Sequence, residues 1–249
     1  MTFIIPHHSA DNSKELLARN PNTSVAMLEK LAKDEDYIVR RKVALNPNTS
    51  VAMLEKLAKD KNCGVRYRVA ENLNTSAATL EKLAKDEDWR VRYHIAVNPN
   101  TSAVLLEKLA EDEDEDVRYL VAGNPNTTMA GLKKLAEDER LIVRYHVAGN
   151  LNTPLALLKN LADDEDPNIR RKVAEHSNTP VYLLKKLAKD ENWRVRYGVV
   201  VNPNTPATLL EQLADDESDF VRVAVIERAK ELADTDFAAY ITAIAKSYD

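Results

Sequence analysis

The chain of 249 residues has one cysteine, Cys63, only five glycines and three phenylalanines, and no apolar run long enough to cross a bilayer. A lone cysteine excludes an internal disulfide and any cysteine-built metal site, and it suits a reducing compartment such as the cytoplasm. Scarce glycine disfavours a turn-rich β architecture. The opening Met1-Thr2-Phe3-Ile4-Ile5-Pro6-His7-His8 has no basic stretch and a short apolar run, so neither a signal peptide nor a membrane span is expected in it, and the histidine pair reads as inert. A basic excess is missing as well. With 35 Lys and Arg against 40 Asp and Glu, the net charge of −5 argues against a general polyanion binder.

What the chain does have is a repeat. Asn20-Pro21-Asn22-Thr23 returns as Asn46-Pro47-Asn48-Thr49, Asn72-Leu73-Asn74-Thr75, Asn98-Pro99-Asn100-Thr101, Asn124-Pro125-Asn126-Thr127, Asn150-Leu151-Asn152-Thr153, His176-Ser177-Asn178-Thr179 and Asn202-Pro203-Asn204-Thr205. Each step is 26 residues without insertion, and residues 20–34 and 46–60 are identical, which implies recent duplication or consensus construction. Eight repeats fill residues 20–227.

Within a repeat, Thr23 is expected to cap a first helix, with Pro154, Pro180 and Pro206 at the first helical position of three later ones. Val25, Leu28 and Leu31 and their counterparts then form an apolar stripe. Asp36 is expected to cap a second helix whose buried set is Val39, Val43 and Ala44, and Asp166 followed by Pro167 has the same cap-then-proline order. Asn-Pro-Asn ends that helix. Such short helices are marginal alone and leave an apolar stripe for a neighbouring repeat to cover. The expected fold is therefore all-α: an α-solenoid of eight two-helix repeats forming one domain over 1–249. Residues 1–19 form an N-terminal half-repeat, with a helix over 11–19. Residues 228–249 form a helical C-terminal cap carrying Phe237, Tyr240, Ile241 and Ile244.

Two charged positions never vary. Asp34, Asp60, Asp86, Asp112, Asp138, Asp164, Asp190 and Asp216 are each followed six residues later by Arg40, Arg66, Arg92, Arg118, Arg144, Arg170, Arg196 and Arg222. A feature present in every repeat points to scaffold: the Arg stem packs in the seam between repeats while its guanidinium takes an Asp of its own or an adjacent repeat.

The pattern Asn-Pro-Asn-Thr-x-x-x-x-Leu-x-x-Leu-Ala-x-Asp-x-x-x-x-Val-Arg-x-x-Val-Ala resembles the leucine-rich repeat variant family over most of the chain. Its second half is also similar to HEAT-type repeats, but those run to about 40–47 residues. The resemblance implies a right-handed superhelix of helix pairs, the second helix short or 3₁₀-like, acting in protein interactions. Some members carry a cysteine cluster for an iron–sulfur centre ahead of the repeats; Cys63 lies within them, so no such centre is implied here, and no cofactor is expected.

Variation concentrates on the outer face of the second helix, at the positions of Tyr37, Ile38, Arg41, Lys42 and Leu45. There an aromatic column, Tyr67, Tyr93, Tyr119, Tyr145 and Tyr197, runs beside Trp89 and Trp193, with Arg90, His94, His146 and Arg194 adjacent. These residue types are enriched at interface hot spots, which makes the column the candidate contact surface for a protein or peptide. Equally, tyrosines can simply fill the groove between helices with their hydroxyls in water. Nucleic acid is disfavoured because the basic residues of this face (Arg41, Lys42, Arg68, Arg90, Arg171, Lys172, Arg194) are matched by acids (Glu71, Glu115, Asp116, Glu175, Asp219, Glu227). Asp112-Glu113-Asp114-Glu115-Asp116 lacks the glycine and terminal carboxylate of a calcium loop and reads as an acidic helix start. No nucleophile–base set or phosphate loop occurs, so a monomeric, non-catalytic binding scaffold is expected, the alternatives being an array without a ligand or a HEAT-like nucleic-acid binder.

Overall fold

The computed structural model describes residues 12–231, and every element in that span is an α-helix. The chain forms two compact units, Met1–Thr128 and Met129–Asp249. In the N-terminal unit, α1 (Asn12–Arg19) precedes the pairs α2 (Val25–Leu31) and α3 (Tyr37–Leu45), α4 (Val51–Leu57) and α5 (Cys63–Glu71), α6 (Ala77–Leu83) and α7 (Trp89–Val97), and α8 (Ala103–Leu109) and α9 (Glu115–Gly123). The C-terminal unit pairs α10 (Met129–Leu135) with α11 (Leu141–Gly149), α12 (Leu155–Leu161) with α13 (Pro167–Glu175), α14 (Val181–Leu187) with α15 (Trp193–Val201), and α16 (Ala207–Leu213) with α17 (Asp219–Glu231). Helix pairs thus recur at the 26-residue period, and each unit is an all-α solenoid of two-helix repeats. Neither helix is 3₁₀, and the shorter is the first, at seven residues such as Val25–Leu31. Phe237, Tyr240, Ile241, Ile244, His7 and His8 lie outside the described residues.

Local chemistry sets the boundaries. Asp36, Asn62, Asp88, Asp114, Asp166 and Asn192 each accept from the amide two residues on and so cap the second helix, and Pro167 opens α13 where no donor is needed. The first helix departs from expectation. Ser24, Ser50, Ser76 and Ser102 are its caps, and Pro154, Pro180 and Pro206 occupy that cap position without a side-chain bond. The buried threonine one place earlier points backwards: Thr101 Oγ1 donates to Ile95 O at 2.6 Å, and Thr179 Oγ1 to Val173 O at 2.6 Å. Its hydroxyl therefore closes the end of the preceding second helix instead of starting the next one.

The core stripe also differs by one face. Leu28, Leu31 and their counterparts are buried, but Val25, Val51, Met129, Leu155 and Val181 are exposed. Their place is taken by Met53, Thr79, Leu105, Leu157, Leu183 and Leu209, at the position two residues further on. In a helix that starts at position 25, residues 27, 28 and 31 span one face at 100° per residue while residue 25 lies outside it. With Val39, Val43 and Ala44 from the second helix, each repeat contributes several fully buried apolar side chains, the valines and leucines each worth about 1.5–3 kcal/mol.

Two hydrogen-bonded ladders join consecutive repeats. Arg40 donates from Nε and Nη2 to both carboxylate oxygens of Asp60 in the following repeat, while Nη1 takes the carbonyls of Asp34 and Glu35 in its own. Arg66 with Asp86 and Arg92 with Asp112 repeat this in the N-terminal unit, as do Arg144 with Asp164, Arg170 with Asp190 and Arg196 with Asp216 in the C-terminal unit. Within its own repeat, Asp138 offers its carbonyl to Arg144. In α1, Lys14 stands 26 residues before Arg40 and pairs with Asp34 at 2.8 Å.

The second ladder is amide-built. Asn98, at 2% exposure, donates from Nδ2 to Ala70 O and Asn72 O at the C-terminal end of α5, and its Oδ1 accepts the amide of Asn100. Asn46, Asn72 and Asn202 do likewise. His176 substitutes for asparagine: its Nδ1 accepts from the Asn178 amide, which leaves Nε2 to donate to Asn150 O at 3.0 Å. The second asparagine of the motif adds an outer rung, as in Asn100 Nδ2 to Leu73 O at 2.6 Å.

Candidate functional site

With the seams fixed in this way, the second helices pack on one another along each unit, α3 on α5 on α7 and α13 on α15 on α17. Their outward residues line up across repeats. In the N-terminal unit Tyr67 lies half-buried between α5 and α7, its ring stacked on His94 at 5.1 Å between centroids and covered by Arg68 at 5.1 Å. Tyr93 meets His94 and Trp89 edge-on at 5.4 and 6.0 Å. Tyr119 bonds with Tyr93 one repeat back, and burial together with that bond pushes its phenol up to about 12. Trp89 and Arg90 stand at the solvent edge.

The C-terminal unit builds the row differently. Tyr145 touches His146 edge-on at 5.8 Å and is covered by Lys172 of the next repeat at 5.6 Å. Trp193 stacks on Phe220 at 4.8 Å with the Arg194 guanidinium 4.7 Å from the Trp193 ring centroid, and Phe220 and Tyr197 remain exposed. Phe220 occupies the position of Ile38 and extends the aromatic surface by a residue that the column of tyrosines does not reveal. Between Tyr145 and Tyr197 the row holds Arg171, and Gly198 lets α15 approach α13 there: a Cβ on it would meet Arg171 O and Ala174 Cβ at 3.0 Å.

The electrostatics of the row are those of a packed surface. Burial holds both His94 and His146 below the ordinary imidazole value; Glu71 opposes and Arg68 assists this at His94, and Lys172 assists it at His146. Arg90 beside Asp88 holds that carboxyl well below the usual carboxylate range. Burial pushes the Cys63 thiol up, with Asp88 adding to it, so the group is a thiol that accepts from Arg90 Nη2 at 3.3 Å and is not an activated nucleophile.

Asp112 is committed to Arg92, and Asp114 to the start of α9, so these carboxylates serve the scaffold. Among the described residues no group of His, Cys, Asp and Glu is arranged to hold a metal ion, and no helix is long and apolar enough to cross a membrane.

The sequence matches no protein-family model and no curated relative. Solved structures do resemble it. One, described as a leucine-rich repeat variant with a novel repetitive protein structural motif, superimposes with a TM-score of 0.69 at 27% identity, covering 88% of this chain and 88% of its own. In fold and in repeat pattern the chain is similar to that leucine-rich repeat variant.

Proposed function

We propose that this repeat array is a non-catalytic, cytoplasmic binding scaffold for a protein or peptide, with the outward row of the second helices as its contact surface. The observation that carries the reading is the contrast between positions. Asp, Arg, Asn and Thr recur for the seams, whereas Trp89 with Arg90 and Trp193 with Arg194 occupy positions the seams leave open, and at both the arginine is solvent-exposed. Large amphipathic rings beside arginines desolvate well against a partner and lose little conformational freedom in doing so. The stacks Tyr67–His94 and Trp193–Phe220 favour the second reading, an array whose aromatics serve its own packing.

Affinity capture from a lysate, followed by mass spectrometry, distinguishes the two. Wild-type protein is expected to retain a defined partner that the Trp89→Ala, Tyr93→Ala, Trp193→Ala, Tyr197→Ala variant does not. Retention by both removes the row from consideration. Affinity that collapses as salt rises, with nucleic acid in the captured material, identifies phosphate-driven binding instead.

A further inference from the structure

The first helices of the two units differ in charge in a way that the scaffold does not require. In the N-terminal unit α2, α4, α6 and α8 each carry one glutamate followed by one lysine: Glu29-Lys30, Glu55-Lys56, Glu81-Lys82 and Glu107-Lys108. In the C-terminal unit α10, α12 and α14 carry Lys133, Lys134, Lys159, Lys185 and Lys186 and no acid, and α16 returns to Glu211. All five lysines are exposed, and the leucines beneath them are buried as in every other repeat.

One helical turn before Lys133, Lys159 and Lys185, on the same face, stand Met129, Leu155 and Val181, at 68%, 43% and 39% exposure. Tyr182 is exposed beside them, with Lys159 over its ring. An apolar line and a lysine line thus cross three successive helices side by side. Isolated exposed apolar residues are ordinary, but exposed apolar residues recurring at one position of successive first helices and bordered by one sign of charge mark an interaction surface.

We propose that this face of α10, α12 and α14 is a second docking surface, independent of the aromatic row, for an acidic peptide segment bearing apolar side chains. Such a segment lies across the helices with its apolar groups on Met129, Leu155 and Val181 and its carboxylates on Lys133, Lys159 and Lys185. Charge also selects the occupant. Beyond the lysines, in the turns that follow these helices, stand the solvent-facing Glu139, Glu165 and Glu191, and Asp163, which pairs with Lys186. These exposed carboxylates oppose an anionic lipid plane covering the whole face, while a narrow chain lying along the lysine line need not cover them.

The array itself supplies harmless test substitutions. Lys133→Glu, Lys159→Glu and Lys185→Glu install what Glu29, Glu55, Glu81 and Glu107 already are. Met129→Ala, Leu155→Ala and Val181→Ala install what Ala77, Ala103 and Ala207 are. The full-length protein is titrated into a fluorescein-labelled peptide of leucines spaced among glutamates, followed by anisotropy at low and high salt, and is separately sedimented with phosphatidylserine–phosphatidylcholine vesicles. The expected result is salt-sensitive peptide binding, weakened about tenfold or more by the glutamate triple variant and severalfold by the alanine triple variant, with Trp89→Ala, Tyr93→Ala binding as wild type. Absence of peptide binding, equal binding by the glutamate variant, equal loss in the Trp89→Ala, Tyr93→Ala control, or sedimentation with vesicles in place of peptide binding overturns the proposal.

Discussion

Arg92 and Asp112 belong to consecutive repeats and are joined by two parallel bonds, Nε to Oδ2 at 2.6 Å and Nη2 to Oδ1 at 2.9 Å. The guanidinium also donates to Asp86 O and Glu87 O, so one side chain ties a turn of its own repeat to the carboxylate of the next. Both side chains are under a tenth exposed, and a partner removed from such a pair leaves a charge without compensation. Arg92→Met is expected to lower unfolding free energy by about 2–3 kcal/mol in urea denaturation. Adding Asp112→Asn is expected to recover part of the loss, because a neutral amide needs no cation. Additive losses from the two changes contradict a coupled pair.

The asparagine ladder makes a sharper claim about hydrogen-bond polarity. Asn98→Asp keeps shape but replaces the donor facing Ala70 O and Asn72 O with an acceptor, at an expected cost of about 2–3 kcal/mol. Asn100→Asp, on the exposed outer rung, is expected to cost less than about 1 kcal/mol. Equal costs at the two positions contradict the assignment.

Thr101 and Ser102 separate the two hydroxyl roles. Thr101→Val strips a donor from a buried carbonyl and is expected to cost about 1–2 kcal/mol, and Ser102→Ala, which loses a long 3.2 Å cap bond, about 0.5–1 kcal/mol. The reverse ranking returns the capping role to threonine.

These residues mark what the sequence discloses and what it does not. Period, helix pairing, the Asp36 cap and Pro167 are local features, written in spacing and side-chain chemistry within one turn. The direction of the Thr23 hydroxyl is not, because a threonine between two helices can serve either. Val25 reads as core because any three leucine-like residues at i, i+3 and i+6 look like a stripe until the helix start fixes which face turns inward. Asn98 reads as a helix stop because its two acceptors lie 26 and 28 residues earlier, at the end of α5. Arg92 has two aspartates in range, and only the stacking distance selects Asp112. The aromatic row is legible as composition, but the pairing of Trp193 with Phe220 depends on how closely α15 and α17 approach.

Acidification is expected to act in two stages. Burial holds His94 and His146 below 6.5, so their neutral forms contribute stability that is complete above that pH and declines as pH falls through the depressed folded values. At Asp60 and Asp190 burial opposes ionisation but is outweighed by the bonds from Arg40 and Arg170; Asp34 is lowered chiefly by Lys14. These carboxylates contribute stability that is present above 3.8 and is lost below it. Urea midpoints measured against pH should show a shallow decline below pH 6.5 and a steeper one below 3.8, and His94→Gln, His146→Gln should remove only the first. An unaltered upper stage in that variant contradicts the histidine assignment.

The most direct test of the binding row pairs stability with recognition in one variant. Wild-type protein and the Trp89→Ala, Tyr93→Ala, Trp193→Ala, Tyr197→Ala variant are unfolded in urea and titrated with the captured partner. A contact surface predicts affinity reduced about a hundredfold or beyond, with only a modest stability change shared among half-exposed rings. Intact affinity accompanied by a loss of many kcal/mol of stability would contradict it and make the row part of the array's own packing.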